Sequence, residues 1–190
     1  MYATHSLRFT HSAIAATAIT FLYLLLSSTS VQAHGPTRQK VTETIEIDAT
    51  AEAVWEVIQN FGDANWLPMV ELSSADKENE VGSVRTLTLA GGAQVIETLK
   101  TYKADKMMYK YRISDATHDV TVLPVNNYSS TLSVKASGDK AIVTWKGAFY
   151  RGYPNNDPPE ELSDEAAVNA VTGLYQAGLA GLKELVENKS

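Results

Sequence analysis

Apolar and polar residues alternate along 41–47, where Val41, Ile45 and Ile47 fall on the same side of an extended chain. An alternation with a period of two is typical of a β-strand that buries one face. Similar runs, separated by turn-forming residues, follow at 70–75, 83–90, 94–102, 107–114, 120–135 and 141–151. Strands joined by short turns pair in antiparallel fashion, so these runs predict a meander after the first strand.

Helical spacing of apolar residues occurs near both ends of this region. The first helical stretch spans 51–62 and follows Asp48 and Thr50, whose side-chain oxygens can cap a helix N-terminus. A second, short helical turn is expected over 64–67, because Pro68 disfavours helical geometry in the residue before it.

The last helical stretch is the longest and extends from Ser163 to about Asn188. Its apolar stripe consists of Val168, Val171, Tyr175, Leu179, Leu182 and Val186. A stripe of this breadth is typical of a helix that packs against a sheet. The element order predicts an α+β helix-grip fold, in which a curved seven-stranded antiparallel sheet surrounds a long C-terminal helix.

Residues 1–33 have the pattern of a signal peptide. Arg8 is the only basic residue before an uncharged apolar run over 13–26, and Val31-Gln32-Ala33 presents short residues at the positions that a signal peptidase reads. The run is too short to span a membrane. We therefore expect cleavage after this segment, a periplasmic protein without a stable membrane span, and one domain over 34–190.

Charge and composition restrict the partners of that domain. Residues 34–190 carry 15 basic and 22 acidic residues, a net charge of −7, with no cluster of Lys or Arg. Nucleic-acid binding is excluded, because it depends on concentrated positive charge. The chain has no cysteine, which excludes thiol catalysis and disulfide bonds. Proteins and small molecules are the expected partners.

Several short motifs resemble known proteins. Those at 53–55, 61–62, 81–85 and 97–99 resemble the SRPBCC superfamily, also called START-like or polyketide cyclase/dehydrase proteins. More specific motifs resemble the MxaD-type periplasmic proteins of bacterial methanol oxidation. They lie at 34–36, 122–128, 145–152, 155–160, 164–168 and 172–175.

This resemblance implies a role and a compartment. It implies a non-catalytic accessory protein that assists methanol dehydrogenase in its interaction with acceptor cytochrome c. It implies no cofactor, and it brings no catalytic signature that can be carried over residue by residue. Carriage of a small apolar or lipid-like ligand in a helix-grip cavity is the alternative function, and a cyclase-like enzyme is a third.

Strand alternation nominates the residues that line such a cavity. The candidates on the strands are Arg85, Leu87, Leu89, Glu97, Tyr109, Tyr111, Tyr128 and Ser130, and those on the helix are Tyr175 and Leu179. One interpretation is an apolar pocket with a few convergent polar groups, which is how small-molecule sites are built. The other is a filled core in which Arg85 and Glu97 pair to avoid isolated buried charges.

Candidate chemistry is sparse. After the leader, the only histidines are His34 and His118, so the sequence offers no metal cluster. An N-terminal His34 could bind copper through its amine and imidazole, but such a site needs further nitrogen ligands. Glu97 remains a candidate general acid or base if burial raises its pKa. We assign no catalytic residues.

The segment from 150 to 165 is a candidate partner-binding surface. It combines aromatic residues, prolines and acidic residues, and no Lys or Arg follows its first two positions. Acidic residues at a helix start complement the helix dipole, but this does not account for the whole loop. The candidate contact residues are Tyr150, Arg151, Tyr153, Asp157, Glu160 and Glu161. The resemblance implies a lysine-rich small subunit of methanol dehydrogenase as the opposite surface.

Overall fold

The computed structural model describes residues 35–188, which form one seven-stranded antiparallel sheet with two α-helices. The strands are β1 (Gln39–Ile47), β2 (Val70–Ala75), β3 (Val84–Leu89), β4 (Gln94–Lys103), β5 (Met108–Ile113), β6 (Val125–Ser137) and β7 (Lys140–Arg151). The helices are α1 (Ala51–Ile58) and α2 (Asp164–Glu187). The strands lie in the order β1-β7-β6-β5-β4-β3-β2. The predicted helix-grip fold is confirmed.

Helix α2 packs against β1 and β7 through the stripe that the sequence predicted. Tyr175, Leu179 and Leu182 are buried on this face, whereas Val168 is only half-buried. The helix begins where Ser163 accepts a hydrogen bond from the backbone N–H of Ala166, so the predicted start is also correct.

Two predicted helical features differ from the structure. Helix α1 ends at Ile58 rather than near Gly62, and it is capped by Thr50, not by Asp48. Residues 64–67 form a turn closed by one hydrogen bond, from the N–H of Leu67 to the carbonyl of Ala64, instead of a helix. The buried side chains of this turn point into the core, so packing determines its conformation.

The strand predicted over 120–135 begins later, at Val125. The side chain of Asp119 accepts hydrogen bonds from the backbone N–H and the hydroxyl of Thr121, which folds the chain into a turn. Pro124 then has no N–H to donate to a neighbouring strand. Residues 120–124 therefore form a loop beside the sheet.

Within residues 35–188, no helix is both long enough and apolar enough to cross a membrane. The predicted signal peptide lies outside the described residues.

Candidate functional site

A small cavity lies between the concave face of the sheet and helix α2. Its volume is about 90 Å³. Its wall is formed by Leu67, Met69, Val70, Arg85, Leu87, Leu89, Val95, Glu97, Tyr111, Ile113, Val122, Leu123, Tyr128, Trp145 and Leu174. Pockets that enclose drug-sized ligands measure roughly 300–1,000 Å³. The interior is therefore mostly filled, and only a compact molecule fits the space that remains.

Six of the ten predicted pocket residues line this cavity: Arg85, Leu87, Leu89, Glu97, Tyr111 and Tyr128. The other four do not reach it. Tyr109, Ser130, Tyr175 and Leu179 are buried in the core, where Ser130 and Tyr175 hold side chains of the wall from behind. Strand alternation identified the correct face, but it could not tell lining positions from positions covered by another side chain.

Other lining residues were not among the candidates. Leu67 and Met69 come from the loop before β2, Val70 is the first residue of that strand, and Val122 and Leu123 come from the loop before β6. Loop residues have no periodicity, so no sequence signal places them at the cavity. Val95 shares its strand face with Glu97, and Ile113 shares its strand face with Tyr111, so strand alternation does place these two residues on the concave face.

A buried ion pair forms the polar end of the cavity. Arg85 on β3 lies directly opposite Glu97 on β4, and its Nε and Nη2 donate to Glu97 Oε2 at 2.8 and 2.5 Å. Nη1 donates to the carbonyl of Phe61 at 2.8 Å. The guanidinium also lies over the rings of Phe61 and Tyr111, at 4.2 and 5.3 Å from their centroids. Both interpretations from the sequence are therefore partly correct: Arg85 and Glu97 pair with each other, and they also line the cavity.

The Arg85 guanidinium stays charged in this environment. Burial by itself lowers the pKa of Arg85, but the adjacent Glu97 carboxylate more than offsets this and holds that pKa above its usual value. Because Glu97 Oε2 accepts both hydrogen bonds, Oε1 has no donor among residues 35–188.

A hydrogen-bond chain supports the wall beside this pair. Ser130 donates to the carbonyl of Lys146 at 2.9 Å, so its oxygen can only accept from the other neighbours. Tyr175 therefore donates to Ser130 at 2.9 Å, and Tyr128 donates to Tyr175 at 2.6 Å. The direction of these hydrogen bonds is fixed by the Lys146 carbonyl at the end of the series, because a carbonyl is never a donor. Tyr128 consequently offers only lone pairs to the cavity.

Trp145 connects this chain to Tyr111. Its indole N–H donates to Ser130 Oγ at 2.8 Å and to the hydroxyl of Tyr111 at 3.1 Å. The indole also stacks on the ring of Tyr175, with centroids 4.3 Å apart. Tyr111 accepts from Trp145, and its own hydroxyl proton has no acceptor among the described residues.

The buried phenols remain protonated at physiological pH. Burial raises the pKa of Tyr109 to about 12, and burial likewise raises the pKa values of Tyr111, Tyr128 and Tyr175. A tyrosinate would be costly in this apolar interior. These groups therefore act as neutral hydrogen-bond partners.

A β-bulge in β6 brings Tyr128 to the cavity. The pairing with β7 shifts between Asn126 and Ser129, and Asn127 has a left-handed φ of 50°. Asn127 donates its backbone N–H to Asp115 and accepts from Arg112 through its side chain. The extra residue lets both Val125 and Tyr128, three positions apart, face the core.

The candidate partner surface rests on a buried arginine. Arg151 is 6% exposed, and it donates to the carbonyls of Tyr153 and Asn155 at 3.0 and 2.7 Å. It also forms an ion pair with Asp164 at 3.1 Å. Arg151 therefore shapes the loop from inside, and its side chain is not available for the partner contact that the sequence suggested.

The remaining candidates lie at the surface. Asp157, Glu160 and Glu161 are exposed, and Tyr150 and Tyr153 are half-buried. A 3-10 turn over Glu160–Leu162 precedes α2, and an open groove of about 430 Å³ there is lined by Glu160, Glu161 and Glu165, among others. Glu165, which was not among the candidates, thus belongs to the same acidic surface.

No group of three or more His, Cys, Asp or Glu side chains within 35–188 has an arrangement that could hold a metal ion. The imidazole of His118 forms a hydrogen bond with the backbone, in which Nε2 lies 2.8 Å from the carbonyl oxygen of Leu123. Since a carbonyl only accepts, Nε2 carries the proton. His34, the candidate copper ligand, lies outside the described residues.

Known proteins share this architecture. Residues 38–187 match the family described as polyketide cyclase / dehydrase and lipid transport. The chain belongs to that family. The protein XoxI from Bacillus cereus is similar to it, with 31% sequence identity, a TM-score of 0.64, and coverage of 77% of this chain and 94% of that one. No curated protein matches the sequence.

More distant members of the fold include an enzyme. A protein from Nitrosospira multiformis is 22% identical, with a TM-score of 0.63, and covers 80% of this chain and 100% of its own. Norcoclaurine synthase from Thalictrum flavum, in complex with dopamine and hydroxybenzaldehyde, is 15% identical with a TM-score of 0.61, and 98% of this chain and 99% of that chain are covered. At these identities the likeness concerns the fold alone. Both solved structures share the overall fold of this family member.

Proposed function

We propose that this family member is a non-catalytic periplasmic accessory protein of methanol oxidation, which assists methanol dehydrogenase and its interaction with acceptor cytochrome c. The motifs at 122–128 and 145–152, which resemble MxaD-type proteins, motivate the choice of partner. In the structure, the observation that carries the proposal is the acidic surface formed by Asp157, Glu160, Glu161 and Glu165.

This acidic surface has the properties of an electrostatic docking site. Its four carboxylates are exposed, and none of them forms an ion pair with a basic side chain of residues 35–188. No Lys, Arg or His occurs between Gly152 and Leu182. Unpaired charge of one sign attracts a surface of opposite sign and accelerates encounter. A lysine-rich subunit is the complementary partner.

The interior supports an accessory role rather than lipid carriage. An acyl chain needs much more space than the cavity of about 90 Å³ provides. Among residues 35–188, the buried hydroxyls of Tyr128, Tyr175 and Ser130 do not form a nucleophile–base pair, since they bond one another and end on a carbonyl.

Charge reversal tests the proposal. Glu160→Lys combined with Glu161→Lys is expected to slow association with methanol dehydrogenase about tenfold or more at low salt, because rim charges act mainly on the association rate. The control is Glu71→Lys with Glu80→Lys, which makes the same change in net charge at exposed sites elsewhere. Association rates by surface plasmon resonance, measured at low and high salt, provide the readout.

The association of the unmodified protein should weaken as salt rises, because exposed charges are screened beyond about 10 Å at 0.1 M ionic strength. Equal rates for both double variants, or rates that do not depend on salt, would contradict the assignment of this surface. Absence of any binding to the dehydrogenase would contradict the proposed function itself.

Binding of a compact ligand in the cavity is the second candidate function. It is favoured by Glu97 Oε1 and the Tyr111 hydroxyl, two polar groups that keep hydrogen-bonding capacity unused at an otherwise apolar wall. Native mass spectrometry of the purified protein would reveal a retained ligand, and Leu87→Trp, which fills the cavity from β3, should abolish its retention.

A further inference from the structure

We infer that the cavity takes a compact, neutral compound with a hydroxyl group, rather than a lipid or a charged metabolite. The inference rests on the second candidate function, the binding of a compact ligand, and it specifies the chemical class of that ligand. The size, the polar groups and the net charge of the wall lead to it independently.

Size excludes most ligands. An engineered cavity of roughly 150 Å³ in another protein is large enough for benzene. The present cavity, at about 90 Å³, is smaller. It therefore suits a molecule with fewer non-hydrogen atoms than benzene, such as an alcohol of three or four carbons.

The polar end offers both donors and acceptors. Tyr111 keeps an O–H without an acceptor, because its oxygen accepts from Trp145. Glu97 Oε1 has no donor, and Tyr128 offers lone pairs because its proton is committed to Tyr175. A hydroxyl group donates one hydrogen bond and accepts others, so it can satisfy the carboxylate oxygen and the phenol together.

The wall carries no net charge that could compensate an ionised ligand. Arg85 and Glu97 neutralise each other through two hydrogen bonds. The buried phenols stay neutral. A carboxylate or ammonium in this space would be an uncompensated buried charge, which is strongly unfavourable. The ligand must therefore be neutral.

The rest of the wall fits the apolar body of such a molecule. Leu87, Val95 and Ile113 are buried side chains on the same concave face as Arg85 and Glu97. Half-buried apolar residues, Met69, Leu89 and Val122, lie toward the rim. A short hydrocarbon chain that points away from the ion pair would contact these apolar side chains.

Three probes of similar size separate the alternatives. 1-Butanol carries the hydroxyl, diethyl ether is its isomer without a donor, and butyrate carries a negative charge. We expect 1-butanol to shift the amide resonances of Leu87, Val95 and Glu97 in a two-dimensional NMR titration. Its dissociation constant should be at least about tenfold lower than those of diethyl ether and butyrate, a factor typical of one lost hydrogen bond or an unpaired charge.

The variant Tyr111→Phe tests the assigned donor. It leaves no donor unpaired, because the Trp145 indole still has Ser130 as an acceptor. We expect about tenfold weaker binding of 1-butanol, and a similar loss for diethyl ether, whose oxygen also accepts from the phenol. Leu87→Phe, which fills the cavity with an apolar group, should abolish the shifts from every probe.

Each contrary result has a distinct meaning. Equal affinities for diethyl ether and 1-butanol, or unchanged 1-butanol binding in Tyr111→Phe, would show that the cavity binds small apolar molecules without selecting a hydroxyl group. Either result would overturn the hydroxyl assignment but not ligand binding itself. A preference for butyrate would overturn it in favour of an anion site at Arg85. No shift with any probe would overturn this inference and the second candidate function together.

Discussion

Gly147 on β7 leaves space for the hydroxyl of Tyr175 on α2, and a β-carbon at that glycine would overlap the hydroxyl oxygen. Tyr175 in turn donates to Ser130 and accepts from Tyr128. The close approach of helix and strand at this point allows the hydrogen-bond chain behind the cavity to form. The absent side chain of Gly147 is thus part of the site.

Gly147→Ala should lower the free energy of unfolding by about 1–3 kcal/mol, because extra volume in a packed core forces side chains to move. Gly173→Ala is the matched control. Gly173 lies on the exposed side of α2 with open space around it, so alanine should stabilise the helix by about 0.5–1 kcal/mol. Urea denaturation of both variants measures the difference.

Adding Tyr175→Phe to Gly147→Ala should recover part of the loss, since the overlapping hydroxyl is removed. Strict additivity of the two changes would show that the glycine and the tyrosine do not interact.

Alkaline pH should destabilise the protein through its buried tyrosines. The pKa of Tyr109 rises from 10.0 to about 12 on folding, because burial disfavours the phenolate. A raised pKa contributes stability that is complete below pH 10 and is lost as pH rises toward the folded value, since only the unfolded chain releases its proton in this range. The free energy of unfolding should fall by up to about 1.4 kcal/mol per pH unit for each such tyrosine.

Denaturant unfolding at a series of pH values above neutrality would show this decline. In Tyr109→Phe the slope above pH 10 should be reduced by the contribution of one tyrosine. Identical slopes in the two proteins would mean that Tyr109 ionises as easily in the folded state as in the unfolded one.

Arg151 should control the order of the loop that carries the acidic surface. Lysine cannot reproduce a planar fork that reaches two carbonyls and Asp164 at once. We expect Arg151→Lys to cost about 1–3 kcal/mol of stability and to accelerate cleavage within 152–163 by a protease of broad specificity. Arg38→Lys, at an exposed arginine, should leave both properties nearly unchanged. Unaltered proteolysis of the Arg151 variant would show that the loop is held by other contacts.

Export remains a prediction from the sequence. N-terminal sequencing of the protein recovered from the periplasm should read His34-Gly35-Pro36, because the apolar run over 13–26 and Val31-Gln32-Ala33 have the pattern of a cleaved signal. Recovery of a chain that still begins at Met1 would contradict it.

Elements whose periodicity arises from one buried face could be predicted from the sequence alone. The alternation over 41–47 and the stripe on α2 both follow from such a face. Thr50 and Ser163 cap the N-termini of their helices through local hydrogen bonds. The pairing of Arg85 with Glu97 was also foreseeable, because an isolated charge would not be buried on that face.

Other features depended on contacts between distant segments. The bulge at Asn127 relies on Asp115 and Arg112, and it changes which residues face the core after Val125. In the turn over 64–67, Leu67 packs where Gly178 leaves room on α2, a contact between segments more than 100 residues apart. No local pattern encodes either outcome.

The size of the cavity and the role of Arg151 were likewise decided by tertiary structure. Alternation assigns a residue to a face, but the space left beside that face depends on how loops and helix close over it, and here they leave about 90 Å³. Arg151 turns inward because the carbonyls of Tyr153 and Asn155 and the carboxylate of Asp164 converge on it. Sequence determines which side chains prefer burial, whereas the exact neighbours of each, and hence the volume that remains empty, arise only when all the elements pack together.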